Sequence, residues 1–232
     1  TAATTVVGHH ILSHFPTHIQ IACIQETLLI KVELPKLGKR WRGHVFGTCY
    51  PAFARGVLIW LAPGVPFVKT KITIDQEGRY VLLEGKLNCR PLNIAAIYCP
   101  NVNQKAFLEG LSPALFTEPQ SPGIWMGDFN SVHSTAVDRS APPLPGTQSI
   151  RTSRDFRAWS ETWTLLDTWR LAHPADTEFS YYAPGYMIHT RLDYAFCNDA
   201  MVDKIADTEY LGRTISDHSP LKVLIKWGTG HP

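Results

Sequence analysis

The sequence predicts an α/β protein in which two β-sheets pack face to face and helices cover them. Apolar, strand-like runs recur along the chain, several follow one another directly, and only a few helical segments separate the rest. The runs IAAIY (94–98) and GIWMG (123–127) are apolar without alternation. Such runs are typical of strands that are buried on both faces of a sheet.

Length and composition favour one globular domain over residues 1–232. The 232 residues fit one large domain, and a hydrophobic content of 44% with 18% charged residues supports a sizeable core and excludes wholesale disorder. The net charge of +2 permits a polyanionic partner without requiring one. Five cysteines without a CxxC pair favour reduced thiols in an intracellular protein. No run of about 18 apolar residues occurs, so we expect no membrane association.

The first part of the chain is predicted to be mostly strands. The segment TTVVGHHILSHFP (4–16) predicts a helix that Pro16 ends. The turn-forming segment DQEGR (75–79) predicts a hairpin between two of the strands that follow. Runs rich in β-branched and aromatic residues predict strands over residues 18–26, 44–50, 56–61, 67–75, 79–87 and 92–100.

The second part alternates helices with strands. A helix is predicted over residues 101–117, capped by Asn101 or Asn103. The Pro/Gly/Ser-rich stretch 134–149 predicts a long surface loop, and APGYMIH (183–189) predicts a hairpin-like loop. A further helix is predicted over 153–170, and strands over 123–130, 177–182, 190–197 and 219–227.

Polar side chains recur where the apolar strands end. Asp128 and Asn130, for example, follow directly on GIWMG. Each such residue alone is explained by a turn or a cap, because Gly, Asp and Asn favour turns. Taken together they favour a site at one rim of the sheets, where two residues i and i+2 would project to the same side. The other strand ends carry Glu26, Tyr98, Asn101, Arg191, Asp193, Asp217 and His218.

These residue types suit phosphodiester hydrolysis. Glu26 is a hard oxygen ligand, which favours Mg²⁺, or Mn²⁺ as a substitute. Asp128 can accept a proton from water, while Asn130 and His218 can donate hydrogen bonds to an anion. Asp193 can fix the tautomer of His218. A metal, a base that activates water and several donors are the components of such a site.

The order of five motifs resembles that of the endonuclease/exonuclease/phosphatase superfamily. The motifs are QET (25–27), IYCPN (97–101), GDFN (127–130), RLDY (191–194) and SDHS (216–219). The segments CIQETLL, ARGVLIWL and IYCPN resemble in sequence the apurinic-endonuclease-like domain of non-LTR (LINE-type) retrotransposons. The resemblance runs from about residue 18 to about residue 226.

The resemblance implies a fold and a role for each matching residue. The fold is a four-layered, DNase I-like α/β sandwich of two packed mixed sheets flanked by helices. By the resemblance, Glu26 is the metal ligand and Tyr98 contacts the scissile phosphate. Asp128 positions or deprotonates the attacking water, and Asn130 holds the phosphate.

The resemblance also assigns residues around the leaving group and the DNA. Asp193 orients His218, which stabilises the charged transition state, and Asp217 assists a metal or the leaving oxygen. Ser180 falls where the retrotransposon group places a hydroxyl near DNA. The loop 183–189 and several polar or basic residues are expected to contact DNA as well. They are Asn101, Arg40, Arg42, Arg139, Arg151, Arg154 and Arg191.

One departure from the family pattern lies at the amino terminus. The superfamily begins with a strand that ends in an Asn of the metal site, whereas the first Asn here is Asn88. The chain is therefore expected to start inside or just before the first helix. Either the natural protein continues upstream or the first strand is absent, and its absence would leave a sheet edge open and weaken metal binding.

The sequence thus predicts a Mg²⁺-dependent DNA endonuclease that nicks double-stranded target DNA in the nucleus. The nick would leave a 3′-hydroxyl to prime reverse transcription, and the full-length protein would carry a reverse transcriptase. An abasic-site repair endonuclease shares the same motifs and is the first alternative. A phosphoinositide or sphingolipid phosphatase is a second alternative. A DNA-binding module with weakened catalysis, suggested by the missing Asn, is a third.

Overall fold

The computed structural model describes residues 19–29, 33–34, 36–37, 42–50, 55–143, 145–213 and 216–228, and the backbone of residues 2–4. The strands are β1 (Ala2–Thr4), β2 (Ile21–Gln25), β3 (His44–Cys49), β4 (Gly56–Leu61), β5 (Phe67–Ile74), β6 (Tyr80–Leu87), β7 (Arg90–Tyr98), β8 (Gly123–Asp128), β9 (Leu166–Asp167), β10 (Tyr181–Ala183), β11 (Ile188–Thr190), β12 (Asp193–Cys197), β13 (Ile205–Tyr210) and β14 (Leu221–Ile225). The helices are α1 (Gln104–Leu115), α2 (Gln148–Thr162), α3 (Thr168–Ala172) and α4 (Asp199–Val202).

The strands form layers, as the sequence predicts. A mixed six-stranded sheet has the order β5-β6-β7-β8-β12-β9, in which β7 and β8 run parallel. Two three-stranded sheets, β1-β14-β13 and β2-β4-β3, adjoin because β1 lies beside β2. They pack together against one face of the six-stranded sheet. The predicted α/β class with packed sheets and flanking helices is confirmed.

Apolar side chains fill the space on both faces of the large sheet. On the face between the sheets, Ile94, Met126 and Ala195 of the large sheet belong to one buried cluster with Ile59 and Val223. On the opposite face, α1 and α2 cover an aromatic cluster of Trp125, Phe129, Phe156, Trp159, Tyr194 and Phe196. Burial on both faces explains why β7 and β8 read as continuous apolar runs.

The helix predicted over residues 153–170 is two helices. Helix α2 starts earlier, at Gln148, and ends at Thr162, and Thr164 then adopts a left-handed conformation (φ 51°) that stops it. Asp167 starts α3 by accepting hydrogen bonds from the amides of Trp169 and Arg170 (3.1 and 3.2 Å). The periodicity of Trp and Leu continued across this break, so pattern alone did not reveal it.

The two termini also differ from expectation. Residues 5–16, which were expected to be helical, lie outside the described residues. Before them, β1 pairs antiparallel with β14 (Ala3 opposite Val223), so a strand covers the edge of β14. The late strand predicted over 177–182 is shorter, since only residues 181–183 form β10, and β13 was not predicted.

The cysteines and two of the turns agree with the sequence predictions. All five cysteines are free thiols, and Cys23, Cys99 and Cys197 are buried. The hairpins predicted at DQEGR and APGYMIH are confirmed as β5–β6 and β10–β11. Within the part of the chain that the structure describes, no helix has both the length and the apolar character needed to cross a bilayer.

Gly127 allows the close approach of β7 and β8 at their shared end. Its φ is 155°, and a Cβ at this position would lie 1.9 Å from the carbonyl oxygen of Ile97. We therefore expect Gly127→Ala to lower the free energy of unfolding by about 2–3 kcal/mol or more, because the strands must shift apart. Gly110→Ala, on the exposed face of α1 where a Cβ meets nothing within 4 Å, should instead stabilise by about 0.5–1 kcal/mol. Urea unfolding measures both, and equal effects would contradict this account of Gly127.

Candidate active site

Three side chains lie in register across three neighbouring strands. Tyr98 of β7 pairs with Asp128 of β8, and Asp128 pairs with Asp193 of β12. Residues in register project to the same face of a sheet, and adjacent strands lie about 4.8 Å apart. That face looks onto the core between the sheets, since Met126 and Ala195, two residues further along their strands, are part of it. The Tyr98–Asp128–Asp193 row therefore lies where this core reaches the rim.

His218 extends the row beyond Asp193. Its Nδ1 lies 2.7 Å from Oδ2 of Asp193, whose side chain is 1% exposed. Burial by itself lowers the pKa of His218, but the charge of Asp193 and this hydrogen bond outweigh burial and raise the pKa to about 10. The ring is thus an imidazolium at neutral pH. One of its two N–H groups donates to Asp193, and the other can donate to an anion.

Asp128, in the middle of the row, holds its proton unusually tightly. Burial and the neighbouring charge of Asp193 raise its pKa to about 8, and the charge of Glu26 acts in the same direction. The charge of His218 and a 2.8 Å hydrogen bond from the amide of Asn130 oppose the rise. A carboxylate with a pKa close to neutral pH suits a general base.

Asn130 is placed by a turn rather than by strand alternation. Its backbone is left-handed (φ 48°), and its own amide reaches back to Asp128. Its side-chain Nδ2 donates to the carbonyl of Cys99 (2.8 Å), and its carbonyl accepts from Gln104 (2.6 Å). The turn, one of the two interpretations of this position in the sequence, is therefore present. Because β8 ends at Asp128, Asn130 lies beyond the strand. The prediction that Asp128 and Asn130 share a strand face is therefore wrong.

Glu26 joins the smaller sheets to the row. It follows β2 with a left-handed backbone (φ 50°), and its Oε1 accepts a hydrogen bond from the phenol of Tyr98. Burial and this contact raise the pKa of Tyr98 well above its ordinary value. The phenol is therefore neutral and held between the two sheets.

The donor set fits a hard divalent cation in one respect. Glu26, Asp128 and Asp193 bring three carboxyl groups to one rim. Among the described residues no group of three or more His, Cys, Asp or Glu side chains is arranged to hold a metal. Mg²⁺ is commonly held by one or two carboxylates, with water and substrate phosphate completing its shell. Glu26 matches such a ligand.

A cavity of about 410 Å³ opens beside the row. Asn130 and Leu192 line it next to the row, and Asn101, one of the expected DNA contacts, lines it as well. The sequence did not single out Gln104 or Tyr181, which also line it. Amide, hydroxyl and guanidinium side chains line it together with apolar and aromatic ones, including Ile188 and Tyr186.

Ser180 does not face a ligand, contrary to the sequence prediction. It is fully buried, and its hydroxyl accepts hydrogen bonds from the amides of Leu192 (2.9 Å) and Asp193 (3.1 Å). Its carbonyl accepts from the amide of Ser219 at 2.6 Å. One residue thus fixes both the backbone of Asp193 and the loop that carries His218. Only three-dimensional pairing reveals this role.

Arg191 is also buried, and its predicted contact with DNA is wrong. Its side chain is 1% exposed and lies between Asp138 (2.8 Å) and Asp167 (2.6 Å), with its guanidinium 4.4 Å from the centre of the Tyr194 ring. Asp138 also pairs with Arg170 at 2.9 Å. This buried network fixes the start of β12 against the loop after β8.

The remaining candidates do not belong to the row. Asp217 is exposed, and its charge adds to the rise in the pKa of His218. Arg139 lines the cavity and donates to the carbonyl of Ala141 at 2.7 Å. Arg42, Arg151 and Arg154 are exposed, and Arg40 lies outside the described residues.

This fold and this rim of acids, amide and histidine define a class of hydrolases that act on phosphate esters. The chain belongs to the Endonuclease/Exonuclease/phosphatase family, whose model matches residues 4–218. The superfamily predicted from the motifs is therefore confirmed. The retrotransposon subgroup stays a prediction.

Solved structures with the same fold include several AP endonucleases. The catalytic domain of APE2 from Xenopus laevis is 19% identical, with a TM-score of 0.73 over 90% of this chain and 84% of its own. An AP endonuclease from Archaeoglobus fulgidus is 17% identical, with a TM-score of 0.73 over 97% of this chain and 99% of its own. AP endonuclease LMAP from Leishmania major is 13% identical, with a TM-score of 0.71 over 98% of this chain and 88% of its own. At these identities the likeness establishes the fold.

Replacing Ser180 by Ala should loosen the support under Asp193. The change leaves two buried amides without an acceptor, which should cost about 2 kcal/mol or more of unfolding free energy. Hydrogen exchange at the amides of Leu192 and Asp193 should accelerate in the variant. Thr162→Ala removes a hydroxyl from the exposed face of α2 and should change neither quantity appreciably. Unchanged exchange at both amides would contradict the role given to Ser180.

Proposed function

We propose that the protein is a divalent-metal-dependent DNA endonuclease that hydrolyses one strand of double-stranded DNA and leaves a 3′-hydroxyl. The observation that carries the proposal is the in-register Tyr98–Asp128–Asp193 row with His218 at its end. The row combines a base, a cation and hydrogen-bond donors within a few strand spacings. Those are the groups that hydrolysis of a phosphodiester needs.

In the proposed reaction, Asp128 accepts a proton from water while the water oxygen attacks phosphorus. A bond forms from this oxygen to phosphorus, and the bond from phosphorus to the 3′ oxygen breaks. The 3′ oxygen takes a proton from solvent, which balances the proton that Asp128 holds. Asn130 retains a second Nδ2–H for a phosphate oxygen, and the free N–H of His218 stabilises the added negative charge.

Glu26 would hold the metal, for which Mg²⁺ is proposed and Mn²⁺ is a substitute. When bound, such an ion polarises the phosphate and offsets its charge. Tyr98 connects this position to the row through its hydrogen bond to Glu26. Removing the metal with a chelator should therefore abolish cutting while the fold persists, because apolar side chains form the core between the sheets.

The particular role we propose is the nicking of target DNA to prime reverse transcription, in the nucleus and in a protein that also carries a reverse transcriptase. The sequences of the motifs CIQETLL, ARGVLIWL and IYCPN support this role. The β10–β11 hairpin supports it too, because Tyr186 and Met187 at its tip are 80% and 79% exposed next to the cavity. Large exposed side chains on a hairpin are suited to contacts in a DNA groove.

Abasic-site repair is the second candidate function. Similarity to AP endonucleases and the shared site residues favour it as much as they favour target nicking. Cleavage of an intact duplex and of the same duplex with one abasic site separates the two. Target nicking predicts comparable rates or a preference for intact DNA, whereas repair predicts cutting confined to the abasic site.

Nicking of supercoiled plasmid with Mg²⁺ tests the proposal as a whole. Asp128→Ala and His218→Ala should each lower the nicking rate by about 10²–10⁴-fold, because each removes a group that acts in the transition state. Glu161→Gln, on the exposed face of α2, should cut as the wild type does. Wild-type protein that leaves the plasmid uncut but binds it would instead favour a DNA-binding module. Variants of Asp128 that cut normally would contradict the mechanism.

A further inference from the structure

Arg79 continues the row on the side opposite His218. It ends the Asp75–Arg79 turn between β5 and β6, and its carbonyl accepts the amide of Tyr98 at 2.7 Å. Asp75 fixes the turn by accepting the amide of Arg79 at 2.7 Å. In the sheet, β6 lies beside β7 on the side away from β8. The rim therefore carries Arg79, Tyr98, Asp128 and Asp193 in this order, at the ends of four adjacent strands.

The guanidinium of Arg79 lies against the Tyr98 ring. Its central carbon is 4.9 Å from the ring centre. Stacking on the ring fixes the plane of the guanidinium and leaves its N–H edge available. Tyr98 in turn donates to Glu26, so this cation lies one residue away from the proposed metal ligand.

Arg79 forms no ion pair with a carboxylate among the described residues, although it is half-buried. Its neighbour Arg55 pairs with Glu77 at 3.1 Å. Burial and the charge of Arg55 both lower the pKa of Arg79, which is the expected cost of holding a cation here without a counterion. Bound phosphate would remove that cost, and a planar guanidinium matches two phosphate oxygens.

We propose that Arg79 binds the DNA phosphate that neighbours the scissile phosphate on the cleaved strand. The inference rests on the proposed function, because the scissile phosphate is taken to lie over Asp128. Arg79 is two strands from Asp128, about 10 Å along the rim by strand spacing, and His218 lies beyond Asp193 on the other side. The strand of DNA would thus cross the β-strands, with a cation at each end of the acidic row.

The salt dependence of DNA binding tests this assignment without needing catalysis. Affinity for a short duplex is measured in EDTA by fluorescence anisotropy over a series of salt concentrations. Arg79→Gln should weaken binding and lower the slope of log K against log salt by about 0.9, since one phosphate contact is lost. Arg79→Lys should keep the slope and lose part of the affinity. The matched control is Arg90→Gln, an exposed arginine at the opposite end of β7, which should keep the wild-type slope.

Three results would overturn the inference. A wild-type slope in Arg79→Gln with a lower kcat alone would mean that Arg79 only positions Tyr98. An equal loss of slope in Arg90→Gln would mean a diffuse electrostatic effect. Wild-type protein that does not bind DNA would overturn both this inference and the proposed function. Wild-type protein that binds DNA without nicking it would contradict the proposed function alone, and the slopes would still decide the role of Arg79.

Discussion

The site depends on the register of three strands. Parallel pairing of β7 with β8 and antiparallel pairing of β8 with β12 bring Tyr98, Asp128 and Asp193 side by side. Their strands are apolar almost to this point, so the acids stand where the buried core meets the rim. A slip of one residue in β8 would turn Asp128 toward the helix-covered face and Phe129 toward the site. Gly127 helps to hold this register by permitting close contact with Ile97.

A second layer of buried polar contacts holds the row in place. Ser180 binds the amide of Asp193 and the loop of His218, and Arg191 binds Asp138 and Asp167 beneath them. Buried ion pairs contribute little net stability, but breaking one leaves an unpaired charge in the core. Their contribution here is to geometry, because a catalytic group must be held within a fraction of an ångström of its working position. The same burial that fixes the acids also raises the pKa of Asp128 toward neutrality.

Much of the fold and the identity of the row could be predicted from the sequence. Apolar runs ending on Glu26, Tyr98, Asp128 and Asp193 mark strands that meet at a rim, because backbone periodicity and strand ends are local properties. Roles set by pairing between distant segments could not be predicted. Ser180 and Arg191 look like DNA contacts in the sequence, yet the structure buries both. Arg79 was within reach of sequence reasoning, since the predicted DQEGR hairpin leads into the strand next to IYCPN.

In this structure Asp193 keeps His218 as an imidazolium at the end of a carboxyl row. NMR titration of the His218 ring in the metal-free protein measures this directly. We expect a pKa of about 10 in the wild type and a large fall toward the ordinary value of 6.5 in Asp193→Asn. A wild-type pKa near 6.5, or one that does not respond to loss of the Asp193 charge, would contradict it.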